Sequence, residues 1–387
     1  MENSVESEFR LYHFQSTSDN IKDIEEIDEQ IHQIGIFLKE SLRVKNLAIF
    51  IGSGCSTPEI PMMGVTMTKI LSKPENTDIL EIVRKYIGAN ETENFKDIEG
   101  LLNWLQNGIN FERDRTTRKD LMLIFDKIKE QFIESIPKWG NEKYIKSTTI
   151  DTYTKFYKYI FDSRSIENSK LAIFTTNYDL FNEFALENNN FSYTSGFTTD
   201  LKQAFDINQF KYRVVDDTER YKDKWQPVKK EANIYKLHGS INWSQNDHGT
   251  LCQNNTATEN IIIYPTMLKH QETAQSPYSE LFREFSTVLQ KQNTTLIVMG
   301  YGFPDEHINN IISQNLQNQD FNLIILGDIF EDKMKEFYQK FKNKINLHII
   351  GGQIDSSIKG HYFDVIVKKY LSHDKMEEMV EIDESDA

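Results

Sequence analysis

From residue 171 to residue 352 the chain alternates short apolar runs with amphipathic stretches, and this alternation restricts the fold more than any other feature. The runs are LAIFTT (171–176), IYKLHG (234–239), IIIYP (261–265), TLIVMG (295–300), FNLIILG (321–327) and INLHIIGG (345–352). Between them lie DLFNEFALENN, YSELFREFSTVLQKQ, DEHINNIISQNLQNQ and EDKMKEFYQKFKN, with apolar residues at helical spacing. Strands too apolar to face water on either side, linked through helices, predict a parallel sheet covered on both faces. The expected class is α/β, doubly wound and Rossmann-like. Ligands of such sheets bind beyond the carboxyl ends of the strands, near the point where strand order reverses. Residues that directly follow strands are therefore the candidates for function.

An earlier run, LAIFI at 47–51, belongs to the same sheet and stops at Gly52. Residues 64–163 contain helical stretches and no convincing strand, so a helical insertion separates this run from the rest. The expected organisation is an N-terminal helical segment (1–45), a Rossmann-like domain (46–375) carrying that insertion, and an acidic tail (376–387). In the first segment Ile24, Ile27, Ile31, Ile34, Leu38 and Leu42 form a helical stripe. It packs on the domain's own core or, alternatively, on another subunit.

Composition removes several classes. The net charge of −15 argues against a general polyanion binder, and the densest basic stretch, RYKDKWQPVKK at 220–230, reads as a solvated excursion. No direct nucleic-acid binding is expected. Two cysteines, Cys55 and Cys252, make neither a disulfide framework nor a four-cysteine zinc module, which points to a reducing, cytoplasmic setting. No apolar run reaches the roughly 20 residues of a membrane span, and the start MENSVESEFR is unlike a signal peptide.

Four loops follow strands and carry polar residues. GSGCST at 52–57 resembles a phosphate-holding turn in which Gly52 and Gly54 allow close backbone approach and Ser53, Ser56 and Thr57 add hydroxyls. It lacks the Lys of a P-loop and the third Gly of the dinucleotide fingerprint, and an ordinary strand-to-loop turn would look the same. TTNYD at 175–179 places Thr176, Asn177 and Asp179 at a strand end, where Asp179 is also a plausible helix cap. KLHGS puts His238 before Gly239, and an imidazole suits proton transfer near neutrality, although a lone His is more often structural. GYGFPDEHIN at 300–309 adds Gly300, Gly302, Asp305 and His307, which also read as a loop and helix cap.

These four motifs, in this order, resemble the sirtuin superfamily, and specifically the divergent bacterial sirtuin-like NADases of antiphage defence systems of the HerA-associated type. The family's G-A-G-x-S followed by I-P is matched by Gly52, Ser53, Gly54, Cys55 and Ser56, then Ile60 and Pro61. Its T-Q-N-x-D is matched by Thr175, Thr176, Asn177, Tyr178 and Asp179, and its H-G by His238 and Gly239. The D-F-R after I-P is replaced by Met62, Met63 and Gly64, and the family's zinc module has no counterpart.

The resemblance implies a sirtuin-type fold with NAD as substrate, no zinc, and hydrolysis of NAD to nicotinamide and ADP-ribose. Asn177 would orient water and the ribose hydroxyls, His238 would be the general base, and Asp179 would support the Asn loop or the ribose. The loop of Gly52, Ser53, Gly54, Cys55 and Ser56, with Thr176, would hold the diphosphate, the Cys55 thiol itself reading as packing. Gly300, Gly302, Asp305 and His307 would shape the adenosine side. It also implies homo-oligomers and a separately encoded HerA-type motor ATPase as partner. An NAD-dependent protein deacylase, or a non-catalytic NAD or ADP-ribose binding subunit, remains the alternative.

Overall fold

A computed structural model describes residues 9–88, 95, 98–137, 142, 146–165, 168–221, 224–246, 248–254, 261–263 and 276–372. The strands, in chain order, are β1 (Leu11–Gln15), β2 (Ser18–Asp19), β3 (Asn46–Ile51), β4 (Leu171–Thr175), β5 (Ser192–Thr194), β6 (Val215–Tyr221), β7 (Lys224–Pro227), β8 (Glu231–Lys236), β9 (Gly239–Gln245), β10 (Leu251–Gln253), β11 (Ile261–Ile263), β12 (Thr294–Met299), β13 (Phe321–Leu326) and β14 (Leu347–Gly352). Nine of them form one sheet in the order β2-β1-β14-β13-β12-β3-β4-β8-β5. From β14 to β5 every pairing is parallel, with Phe50 opposite both Val298 and Phe174.

Because successive side chains of a strand point to opposite faces, an all-apolar strand needs two cores. β3 shows this directly: Leu47, Ile49 and Ile51 join one buried cluster, Ala48 and Phe50 the other. The first face is covered by helices Ile27–Leu42, Thr148–Asp162 and Phe181–Asn188, the second by Tyr278–Leu289, Glu306–Asn315 and Asp332–Phe341. The predicted doubly wound parallel sheet is what forms. The chain runs from β3 outward to β4 and β8, then returns to the other side of β3 through β12, so strand order reverses at β3 and β12.

Two expectations change. The N-terminal segment is not purely helical: LYHFQ forms β1, which pairs antiparallel with β14 and extends the sheet. IIIYP does not join the parallel sheet; Ile261–Ile263 pairs antiparallel with β9 in a separate three-stranded sheet, and residues 264–265 lie outside the described residues. The basic stretch near 220–230 contributes to the β6–β7 hairpin. Between β3 and β4 the described residues form the expected helices, among them Met63–Leu71, Ile98–Phe111 and Arg115–Glu134. The acidic tail lies outside the described residues.

The Ile24–Leu42 stripe packs inward. Ile34, Leu38 and Leu42 are buried in the first core, and a Cβ on Gly35 would stand 2.7 Å from the Tyr370 carbonyl oxygen, so this helix is pressed against the C-terminal turn at Ile366–Tyr370. These residues serve the domain's own core rather than a subunit contact.

Candidate active site

The loops after β3, β4, β8 and β12 converge at the reversal point around a cavity of about 480 Å³. Its lining includes Ser53, Ser56, Thr176, Asn177, Asp179, His238, Gly302, Asp305 and His307. Nine residues singled out in the sequence therefore share one cavity. Gly52, Gly54, Cys55 and Gly300 do not line it.

The glycine loop works differently from the expected phosphate cradle. Gly52 N donates to Met299 O at 2.9 Å, Gly54 N to Gly300 O at 2.9 Å and Cys55 N to Gly52 O at 3.1 Å. Those three amides are committed to the fold. The glycines are needed because the β3 and β12 loops interlock: a Cβ on Gly52 would lie 2.3 Å from Gly300 O, and one on Gly300, at φ 62°, would lie 2.5 Å from Cys55 N. Gly302 has nothing within 4 Å of an added Cβ. Of the diphosphate candidates, Ser53 is exposed on the cavity wall, and Ser56 is buried and engaged elsewhere.

Asn177 is fixed by three hydrogen bonds. Its backbone N donates to Thr175 Oγ1 at 3.0 Å, and its Nδ2 donates to Gly52 O at 3.0 Å and to Ser56 Oγ at 3.1 Å. Thr175 Oγ1 in turn donates to Ile51 O at 2.8 Å, so β3 and β4 jointly set the loop. Asn177 Oδ1 is buried with no hydrogen-bond partner, an acceptor that ordinarily costs about 1–3 kcal/mol to leave unpaired.

Asp179 accepts from Ser56 Oγ at 2.8 Å and from Phe181 N at 3.0 Å. Since Ser56 gives its only proton to Asp179, Tyr153 OH is the donor in the 3.2 Å Ser56–Tyr153 contact. Burial pushes the Asp179 carboxyl above the usual carboxylate range, against the pull of Lys236. Asp179 is thus a brace between the Asn177 loop and Ser56. Beneath it Lys236, 1% exposed, donates to the Asp179 carbonyl and pairs with buried Glu183 at 3.2 Å. The sequence reading passed over Lys236; the only signal was a Lys inside the apolar run IYKLHG.

His238 follows β8, pinned by Leu237 N to Thr175 O at 2.9 Å and by Ile241 N to Tyr178 O at 3.0 Å. Its Nε2 lies 3.2 Å from Asp305 Oδ2. Asp305, a candidate for the adenosine side that also read as a helix cap, meets His238 and caps helix Glu306–Asn315. His307 lines the cavity with its ring edge-on to Phe282 at 4.6 Å.

The insertion supplies part of the wall, which the sequence did not reveal: Phe132, Ser135 and Ile136 line the cavity together with Ile60, Pro61, Met62 and Met63. The lining contains Asp179, Asp305 and Glu306 and, among the described residues, no Lys or Arg. Among the described residues no group of three or more His, Cys, Asp or Glu is placed to hold a metal ion, and no helix is long and apolar enough to cross a membrane.

Cys55 is 1% exposed, and burial raises its thiol far above the usual range, so it is an inert packing group. Cys55→Ser is expected to keep most of any turnover while lowering stability by about 1–2 kcal/mol, the cost of burying a hydroxyl. Parallel activity and melting measurements check this; a roughly hundredfold loss in folded protein would restore thiol chemistry.

Residues 171–350 match the family model of the SIR2-like domain, which supports placing this segment in the sirtuin-like superfamily. The matched span holds Asn177, His238 and Asp305 but not the glycine loop. SIR2-like domains are commonly NAD-dependent enzymes, so the match supports NAD-related activity in the broad sense. No curated protein matches the chain.

Proposed function

We propose that the chain is an NAD glycohydrolase that releases nicotinamide and ADP-ribose. The observation that carries this reading is Asn177, which lines the same cavity as His238 inside the SIR2-like span and whose buried Oδ1 has no hydrogen-bond partner. A fixed acceptor of this kind suits a ribose hydroxyl or the attacking water, and it makes up for its lost hydration only when such a donor arrives.

The fit to NAD is uneven along the cavity. Asp305 and Glu306, with no cationic side chain in the described lining, suit the positive nicotinamide ring and the oxocarbenium character that develops at the ribose. His238 would take a proton from a ribose hydroxyl or from water. The apolar wall of Met62, Met63, Phe132 and Ile136 would limit how much water enters. The diphosphate end is the poorer match, because the Gly52, Gly54 and Cys55 amides are spent and Ser53 is the loop's accessible hydroxyl.

Following the resemblance of the motifs, the proposal includes a role in antiphage defence by NAD depletion, as a homo-oligomer working with a HerA-type motor ATPase. The direct test is incubation with NAD, with and without such an ATPase. Nicotinamide should be released without any acylated peptide. Release only on addition of an acyl-lysine peptide would make the chain a deacylase, and NAD binding without turnover under both conditions would make it a binding subunit.

A further inference from the structure

We infer that Asp305 is the positioning residue for His238: its Oδ2 accepts from His238 Nε2 and so holds the imidazole as the Nε2–H tautomer, with Nδ1 left as the base. The two atoms are 3.2 Å apart, and the residues are 9% and 6% exposed, so the pair sits largely out of water.

What makes this more than a chance contact is that each partner is fixed by something else. Asp305 Oδ1 accepts from His307 N at 2.9 Å and Ile308 N at 3.3 Å, which anchors the carboxylate to the first turn of helix Glu306–Asn315. The loop before it is held in turn. Gly300 is locked against Gly54 and Cys55, and Phe303, at φ 59°, is strapped by Asn309 Nδ2 to its carbonyl at 2.9 Å. A non-glycine residue in the left-handed region persists only where its surroundings impose it. On the other side, the His238 backbone is tied to β4 and to the Asn177 loop through its neighbours Leu237 and Ile241. Asp305 is thus the point at which the β12 half of the reversal grips the β8 half.

The chemistry follows from donor and acceptor roles. A neutral imidazole has one N–H and one lone pair, and the bond made at one nitrogen decides which is which. A carboxylate that has only acceptor capacity facing Nε2 requires the proton there. Nδ1, which has no hydrogen-bond partner among the described residues, is then the lone-pair nitrogen. Once Nδ1 takes a proton, the same carboxylate faces the resulting imidazolium and stabilises it. Atoms balance simply: one proton moves from a substrate hydroxyl or water to Nδ1, and Asp305 keeps its charge throughout.

The consequence for turnover rests on the NAD-cleaving reading; the tautomer does not, and the test separates them. Asp305→Asn retains a cap acceptor, since Asn and Asp cap helices equally well, but presents Nδ2, a donor, to His238. In the full chain at about pH 8, where a histidine is ordinarily neutral, nitrogen-15 spectra of His238 should show Nε2 protonated in the parent protein and Nδ1 protonated in the variant. The resonance is assigned by its loss in His238→Gln. With NAD as substrate, kcat should fall by about 10²-fold or more with melting temperature nearly unchanged. Asp305→Ser, which can cap but is too short to reach the imidazole, should lose turnover comparably. An unchanged tautomer in Asp305→Asn overturns the assignment, as does an inverted tautomer with full kcat. If the parent protein does not cleave NAD yet the tautomer inverts, the positioning role stands and the reaction reading fails.

Discussion

His238→Ala should lower NAD turnover by about 10²- to 10⁴-fold, roughly 3 to 5 kcal/mol of barrier, while NAD still binds. The imidazole touches Asp305 and the cavity but carries no strand or cap, so its removal leaves the backbone ties of Leu237 and Ile241 in place. Asn177→Ala should fall at least as far, because Oδ1 is the acceptor with no competing partner. Its Nδ2 also holds Gly52 O and Ser56 Oγ, so this variant will in addition lose about 1–3 kcal/mol of stability. If both side chains act on one transition state, the double variant should be little worse than either single one. Turnover, NAD binding and melting temperature measured on the same samples decide the matter. Normal turnover in folded His238→Ala protein would remove the catalytic assignment.

How far the sequence revealed this site depends on the range of each signal. The parallel sheet was legible because its evidence is local: Leu47 to Ile51 or Leu323 to Leu326 cannot face water on either side. Asn177 and His238 were legible because strand ends in such sheets meet at one edge. What failed needed partners distant in the chain. β1 was missed because its pairing strand is more than 300 residues away, as the His13–His348 separation of 335 shows. The contact of Asp305 with His238 was not foreseen because they lie 67 positions apart in the chain. What the glycines themselves do was hidden for a related reason. A glycine signals that something approaches closely, but not what, and at Gly52 the approaching atom belongs to Gly300 rather than to a phosphate. The insertion gave an amphipathic pattern, which shows that a helix buries one face without saying that Phe132 and Ile136 close a cavity.

The missed strand brings the second large expected effect, a loss of stability in mild acid. His13 on β1 and His348 on β14 are 4% and 8% exposed, with Nε2 and Nδ1 3.2 Å apart and the Phe37 ring against both, its centroid at 4.3 and 4.8 Å. One neutral imidazole donates to the other, and the site has no room for a charge. Burial lowers both to about 4 from the ordinary 6.5, with the mutual repulsion of two imidazolium ions adding to it at His13. Folded values below the unfolded one mean that the unfolded chain binds more protons as pH falls. The stability is therefore complete above about pH 6.5 and lost progressively toward about pH 4, by about 3 kcal/mol for the first proton on the pair. His361, also lowered to about 4 by burial, adds to the same limb. Asp179 and Glu183 act with the opposite sign, since burial raises them and acid relieves their cost, whereas exposed Asp114 and Asp355, lowered by hydrogen bonds, lose their contribution only below the usual carboxylate range. These other groups are common to parent and variant, so the difference isolates the pair. Melting temperature measured between about pH 7.5 and 5 should fall in the parent protein and fall much less in His13→Gln/His348→Gln. Equal slopes would show that β1 is not held to β14 by a neutral histidine pair.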